Sequence, residues 1–94
     1  MENNRNNPKN QPIRKFAAGP IEAAIWRNEV VYDDRVRVLL KASVSRRYKD
    51  RSGEWKTTTS FSRSDLPLVI YCLLQAFAFI LRRQEEASAG GDAP

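Results

Sequence analysis

The stretch RVRVLLKASVSRRYK, residues 35–49, decides the fold because it carries the clearest two-residue periodicity in the chain. In an extended strand, alternate side chains point to opposite faces, so this pattern separates an apolar side from a polar one. The apolar side holds Val36, Val38, Leu40, Ala42 and Val44, and the polar side holds Arg37, Lys41, Ser43, Ser45, Arg47 and Lys49, with only Leu39 interrupting. The stretch predicts a long strand with a core face and a cationic face.

A strand is also predicted before this stretch, over residues 21–28, with Phe16 in a leading strand across a Gly-Pro bend. Alternation places Ile21 and Ile25 on one face and the large Trp26 on the other. Residues 28–34 are predicted to form the turn that leads into the long strand.

A third strand is predicted over residues 54–62, after a hairpin turn over residues 50–53 in which Gly53 is free to take positive φ. If Phe61 faces the core, so do Trp55, Thr57 and Thr59, and Lys56, Thr58 and Ser60 then lie on the cationic face. We interpret Arg46, Tyr48 and Trp55, on the core side near the turn, as a small cap on the end of the core.

A helix is predicted to start at about Leu66, with a polar side chain before it as a cap and Pro67 in its first turn. It is apolar nearly all round up to Leu81, which indicates that a second surface, a partner subunit or lipid, covers it. The apolar run is shorter than the roughly 20 residues of a membrane span and is flanked by charges, so we expect no membrane contact. We expect instead a homodimer or higher homo-oligomer whose helices meet through Val69, Leu73, Phe77 and Ile80.

The predicted fold class is α+β, with a small curved antiparallel β-sheet of three to four strands, one C-terminal α-helix, and dimerisation through that helix. Residues 13–83 form the single domain. Residues 1–12 and 84–94 are polar, small or rich in Pro and Gly, and are expected to be disordered tails. The first tail has no apolar run, so we expect it not to be a signal peptide and the protein to be cytoplasmic, or nucleoid-associated if it binds DNA.

The sequence contains few residues that could act in catalysis or bind a metal ion. The 94 residues include one cysteine and no histidine, so no intramolecular disulfide or zinc constellation can form. There is no Gly-rich phosphate loop, and Cys72 lies inside the apolar helix, where a thiol is ordinarily an inert packing residue. We predict a protein that is not an enzyme, with no catalytic residue, no metal site and no cofactor.

The cationic face predicts an anionic partner. The formal net charge is +5, and the basic excess is concentrated in residues 41–63. Lysine and arginine neutralise phosphates, hydroxyls donate to phosphate oxygens, and an exposed aromatic ring can stack on an unpaired base. Trp26 is the candidate for stacking, with a subunit contact as its alternative role, and a merely solvated surface is the alternative for the whole face.

Several of these features resemble one known family. They are Lys15-Phe16, Trp26, the strand end Arg46-Arg47-Tyr48, the turn with Gly53-Glu54, Lys56, and Phe61-Ser62 before a terminal helix. This arrangement is similar to the positive cofactor four family of transcriptional coactivators and its whirly-like relatives. The resemblance covers residues 13–82 and implies a helix-mediated dimer whose sheet binds single-stranded DNA with little sequence preference. It also implies nucleic-acid contacts at Arg47, Tyr48, Lys49, Gly53, Glu54 and Lys56.

The sequence therefore predicts a protein of low sequence specificity that binds single-stranded nucleic acid, DNA rather than RNA, in transcription or DNA maintenance. The candidate nucleic-acid-binding residues are Trp26, Arg37, Lys41, Ser43, Arg47, Tyr48, Lys49 and Lys56. The alternative is a protein-interaction or assembly module that acts through its apolar helix, with the basic face only keeping it soluble.

Overall fold

The computed structural model describes residues 11–92, with side chains described for residues 11–84. Its four strands form one antiparallel sheet in which each strand pairs with its neighbour in sequence, and a single helix follows them. The elements are β1 (Arg14–Ala18), β2 (Ile21–Tyr32), β3 (Arg35–Lys49), β4 (Trp55–Thr58), a 3-10 turn (Arg63–Asp65) and α1 (Leu66–Asp92). The predicted α+β class and element order are confirmed, and dimerisation stays a prediction.

The hairpin of β2 and β3 is the largest unit of the sheet, and β3 has the bounds that its periodicity predicts. The predicted turn over residues 28–34 is wrong, because β2 continues to Tyr32, which pairs with Arg35. Only Asp33 and Asp34 form the turn, with φ of 54° and 60°. Two successive residues at positive φ are typical of the tight turn whose twist matches that of paired strands.

The core lies between one face of the sheet and α1. Ile21, Ala23 and Ile25 of β2 are fully buried, and Cys72 and Ala76 of the helix pack against them. The alternation that placed Trp26 on the opposite face is thus confirmed. Half-buried side chains surround this cluster, among them Phe16, Leu40, Val44, Phe61, Phe79 and Ile80.

The start of the helix is fixed to β3 by a buried carboxylate. Asp65 is 5% exposed, and it accepts hydrogen bonds from the Ser62 backbone N–H at 2.9 Å and from the Ser62 hydroxyl at 2.9 Å. The Arg46 guanidinium Nε donates to the same carboxylate at 3.1 Å. The cap interaction therefore sets both where the helix begins and how it is anchored on the sheet.

The helix runs to Asp92, beyond the boundary expected from composition. Residues 84–92, expected as part of a disordered tail, are helical, because glutamate and alanine extend a helix readily once a packed segment has nucleated it. Of the expected N-terminal tail, residues 1–10 lie outside the described residues.

Two of the four residues predicted to form the dimer contact pack instead against the core of their own chain. Val69 is 8% exposed and faces the chain's own sheet, and Ile80 packs against the same core. Leu73 and Phe77 are exposed. Because the helix is apolar nearly all round, the sequence contains no stripe that identifies which side faces the sheet.

An exposed apolar surface remains on the other side of the helix. We call it the outer helix face, and it consists of Leu66, Ile70, Leu74, Phe77 and Leu81. The segment Arg63–Gln84, with mean hydropathy 1.8, could cross a membrane by length and composition alone, but the core helix of a soluble protein meets the same test. The absence of a membrane contact stays a prediction.

Candidate functional site

The side of the sheet that faces away from the helix carries most of the predicted binding residues. We call this side the open sheet face. The pairing of Trp26 with Lys41 and of Ala24 with Ser43 places these side chains on one surface, because directly opposed residues share a face. Six of the predicted residues lie together there: Trp26, Arg37, Lys41, Ser43, Arg47 and Lys49.

Two of the predicted binding residues, Tyr48 and Lys56, lie on the opposite side of the sheet. For Lys56 this corrects the predicted face, whereas Tyr48 lies on the core side, as its position in the strand predicted. Arg47 pairs with Thr57, and Lys49 pairs with Trp55, so Tyr48 and Lys56 face the side of the helix. Lys56 Nζ instead lies 3.4 Å from Asp50 Oδ2, beside the turn.

The predicted strand over residues 54–62 is wrong beyond Thr58, where β4 ends. Phe61 does pack against the core, but it lies outside β4, so its position does not fix the two faces of that strand.

Trp55 is the functional candidate that the sequence reasoning missed. Trp55 was predicted to cap the core, but its side chain lies on the open sheet face, and the residue is 63% exposed. The Arg47 guanidinium carbon lies 5.5 Å from the centroid of the Trp55 ring, and Lys49 Nζ lies 5.3 Å from it. The pairing of Lys49 with Trp55 could have been found only from the exact length of the turn between them.

Two further aromatic side chains on the open sheet face also lie beside cations. The Trp26 indole Nε1–H donates to the Ser43 hydroxyl at 2.9 Å, which fixes the ring next to Lys41. At the far end of the hairpin, the Arg37 guanidinium carbon lies 5.9 Å from the centroid of the Tyr32 ring. Aromatic rings and cations therefore accompany each other along the whole of β3.

The charge of the open sheet face is strongly positive. Glu22 is the acidic residue of the paired strands on this face, and its carboxylate lies 3.7 Å from Lys15 Nζ. Within the part of the chain whose side chains are described, no carboxylate forms an ion pair with the basic residues that β3 places on this face, which are Arg35, Arg37, Lys41, Arg47 and Lys49. These five side chains are also exposed.

The length of the surface suits an extended chain. β3 has 15 residues, and at roughly 3.3 Å per residue it spans roughly 50 Å. The basic side chains of the open sheet face recur along it at alternate or near-alternate positions, with hydroxyls at Ser43 and Ser45 between them. Such a strip can contact a series of phosphates rather than one.

The turn between β3 and β4 determines where Trp55 stands. Asp50 Oδ1 accepts hydrogen bonds from the Ser52 N–H at 2.9 Å, the Ser52 hydroxyl at 2.8 Å and the Glu54 N–H at 2.9 Å. The bond from the Glu54 backbone lowers the pKa of Asp50 most, followed by the Ser52 hydroxyl. Gly53 completes the turn at φ 89°.

The single cysteine of the chain lies in the core. Cys72 is fully buried against β2, and burial raises the pKa of its thiol, so it stays protonated at neutral pH. Among the residues that the structure describes, no group of three or more His, Cys, Asp or Glu side chains could hold a metal ion. The chemistry that the described surface does offer is electrostatic attraction and stacking.

Comparisons of the chain with protein-family models, with curated proteins and with solved structures found no match.

Proposed function

We propose that this protein binds single-stranded nucleic acid along the open sheet face, with little preference for sequence. The observation that carries the proposal is the row of exposed cations on β3 that form no ion pair with a described carboxylate, accompanied by Trp26, Trp55 and Tyr32. A duplex keeps its bases stacked inside, whereas a single strand can offer both phosphates and base faces to such a surface.

In this proposal the basic side chains neutralise phosphates and release counterions, which provides most of the affinity. The rings then stack on unpaired bases, and stacking tolerates every base because each has a π face. Arg47 and Lys49 lie beside the Trp55 ring and can also reach phosphates that flank a stacked base. DNA is the proposed ligand class, and the likeness to the positive cofactor four family stays a proposal with it.

Charge reversal on the open sheet face tests this function. The variant Arg37→Glu/Lys41→Glu/Arg47→Glu should bind a labelled single strand at least about tenfold more weakly in a fluorescence-anisotropy titration, with a shallower salt dependence, because phosphate contacts are lost. Lys56→Glu, compared with Arg47→Glu alone, is the control matched for charge, since Lys56 lies on the other side of the sheet. It should bind nearly as well as the wild type.

Circular dichroism should show that the variants stay folded, because the three side chains make no buried contact. A folded triple variant with wild-type affinity would exclude the open sheet face as the site. Equal binding of single strand and duplex by the wild type would contradict the preference for unpaired bases.

The outer helix face favours a second candidate function, which is assembly with a protein partner. Five large apolar side chains are exposed along one side of α1, whereas monomeric soluble proteins rarely expose so large a patch. We propose that a second copy of the chain covers this face, with Phe77 and Leu73 in the contact. If the wild type forms stable dimers but binds no nucleic acid, assembly is the function that remains.

A further inference from the structure

The hairpin of β2 and β3 extends past the region that the helix covers. We call residues 28–39 the arm. On the side of the sheet that carries the helix, Val31 is 75% exposed, and its directly paired neighbour Val36 is 64% exposed. Val38 on the same side is also exposed. Valine suits strands, but no described side chain covers these three valines on one side of the projecting hairpin.

The arm projects at the C-terminal side of the helix core. Gly19 approaches Leu68, and Cys72 lies at Ile21, so the start of the helix lies at the start of β2. Phe79 lies 6.1 Å, centroid to centroid, from Phe16, which pairs with Ala23, and its centroid lies 5.6 Å from the guanidinium carbon of Arg14, which pairs with Ile25. The helix and β2 therefore run in the same direction, and β2 continues past Phe79 into the arm.

We infer that the arm of one copy docks on the outer helix face of a second copy, so that the two copies clasp each other. In a two-fold dimer with antiparallel helices, the N-terminal end of the partner helix lies beside the C-terminal half of the first helix, the direction in which the arm projects. Leu66 and Ile70 of the partner subunit are exposed at that end and match the valines of the arm in character.

Charge complementarity favours a second copy of the chain as the partner that contacts the arm. The tip of the arm carries Asp33 and Asp34, neither of which forms an ion pair with a described side chain. The N-terminal end of the helix carries the exposed Arg63. A second copy thus brings an apolar patch and a cation to the place where the arm offers valines and an acidic tip.

The clasp rests on the proposed self-association through the outer helix face and does not depend on nucleic-acid binding. Sedimentation velocity of the full chain without nucleic acid, across a dilution series, measures it. Val31→Thr/Val36→Thr keeps β-branched side chains and should raise the dimer dissociation constant at least about tenfold by removing apolar contact. Val30→Thr/Leu39→Thr makes the same kind of change on the other side of the arm and should leave dimerisation unchanged.

A double-mutant cycle tests whether Asp33 and Asp34, at the tip of the arm, contact Arg63 of the partner subunit. Asp33→Asn/Asp34→Gly removes both charges with residues that accept positive φ, so the turn is retained. This change and Arg63→Gln should each weaken the dimer, and together they should weaken it by less than the product of the separate effects.

The outcomes separate the two proposals. If Phe77→Asp yields monomers but the arm variants dimerise like the wild type, the clasp is wrong and the helix contact stands. A wild type that is monomeric throughout the series overturns both. Equal weakening by the two arm variants would mean that the arm contributes only through its stability, which also overturns the clasp.

Discussion

At the scale of single residues, the exposed rings of the open sheet face carry the sharpest predictions, because each ring can be removed without opening the core. Trp55 is well exposed, and the cations beside its ring lie on the same open surface. The ring therefore contributes little to the stability of the folded monomer. Trp55→Ala should weaken single-strand binding by ~1–3 kcal/mol, the contribution of one stacked base. Anisotropy titration gives this value, and the thermal midpoint of the free protein should change little.

Tyr48→Ala is the aromatic control for this prediction, since Tyr48 lies in the neighbouring strand β3 but on the other side of the sheet. The two variants should differ by at least about fivefold in affinity if stacking is the cause. Equal losses would show that a general change in the sheet, rather than stacking at Trp55, lowers the affinity.

Asp65 carries a prediction on stability and pH. Hydrogen bonds from the Ser62 backbone and hydroxyl, together with Arg46, hold the pKa of this carboxyl below its usual value. A lowered folded-state pKa stabilises the fold above the unfolded pKa, and this stabilisation is lost as the pH falls through the folded value. Asp65→Asn should therefore lower the urea midpoint at pH 7 and have a progressively smaller effect as the pH falls below roughly 4.

Urea titrations of both proteins from neutral to acidic pH measure the effect. Asp34→Asn serves as the control, because it removes a carboxylate for which the structure describes no ion pair. A difference between wild type and Asp65→Asn that stays constant with pH would show that the charge of Asp65 does not stabilise the helix start.

At the scale of elements, strand periodicity predicted more than turn geometry did. The period of residues 35–49 gave β3 its bounds and its two faces, because burial of one face forces alternation. The faces of residues 54–62 were predicted from Phe61, but β4 ends at Thr58 and alternation does not continue across that break, so Trp55 and Lys56 were assigned to each other's faces. The helix likewise lacked a polar stripe, and the side that faces the sheet became visible only in the structure.

Gly53 tests whether the turn between β3 and β4 positions the site. Its φ of 89° is poorly tolerated by a side chain, while a Cβ would meet no atom within 4 Å, so the penalty is one of backbone conformation alone. Gly53→Ala should cost about 1 kcal/mol of stability by urea unfolding, and Gly53→Asn should cost less. If the turn holds Trp55 in place, the alanine variant should also bind the single strand more weakly than the asparagine variant.

At the scale of the whole molecule, the two proposed surfaces make a combined prediction. The open sheet face and the outer helix face lie on opposite sides of the sheet, so a dimer formed through the helices leaves both open sheet faces accessible. A long single strand can then engage two faces at once, and the second contact is made at a high effective concentration. A short strand reaches only one face.

The wild type should therefore bind a strand of roughly 40 nucleotides at least about tenfold more tightly than one of roughly 10, after correction for the number of possible positions. The monomeric variant Phe77→Asp should bind the short strand like the wild type and lose most of the extra affinity for the long one. The salt dependence divides the two contributions further, since phosphate contacts weaken steeply with salt whereas apolar helix packing does not. If Phe77→Asp is monomeric and still shows the full advantage of length, one chain alone would have to supply both contacts, and the dimer would have no part in binding.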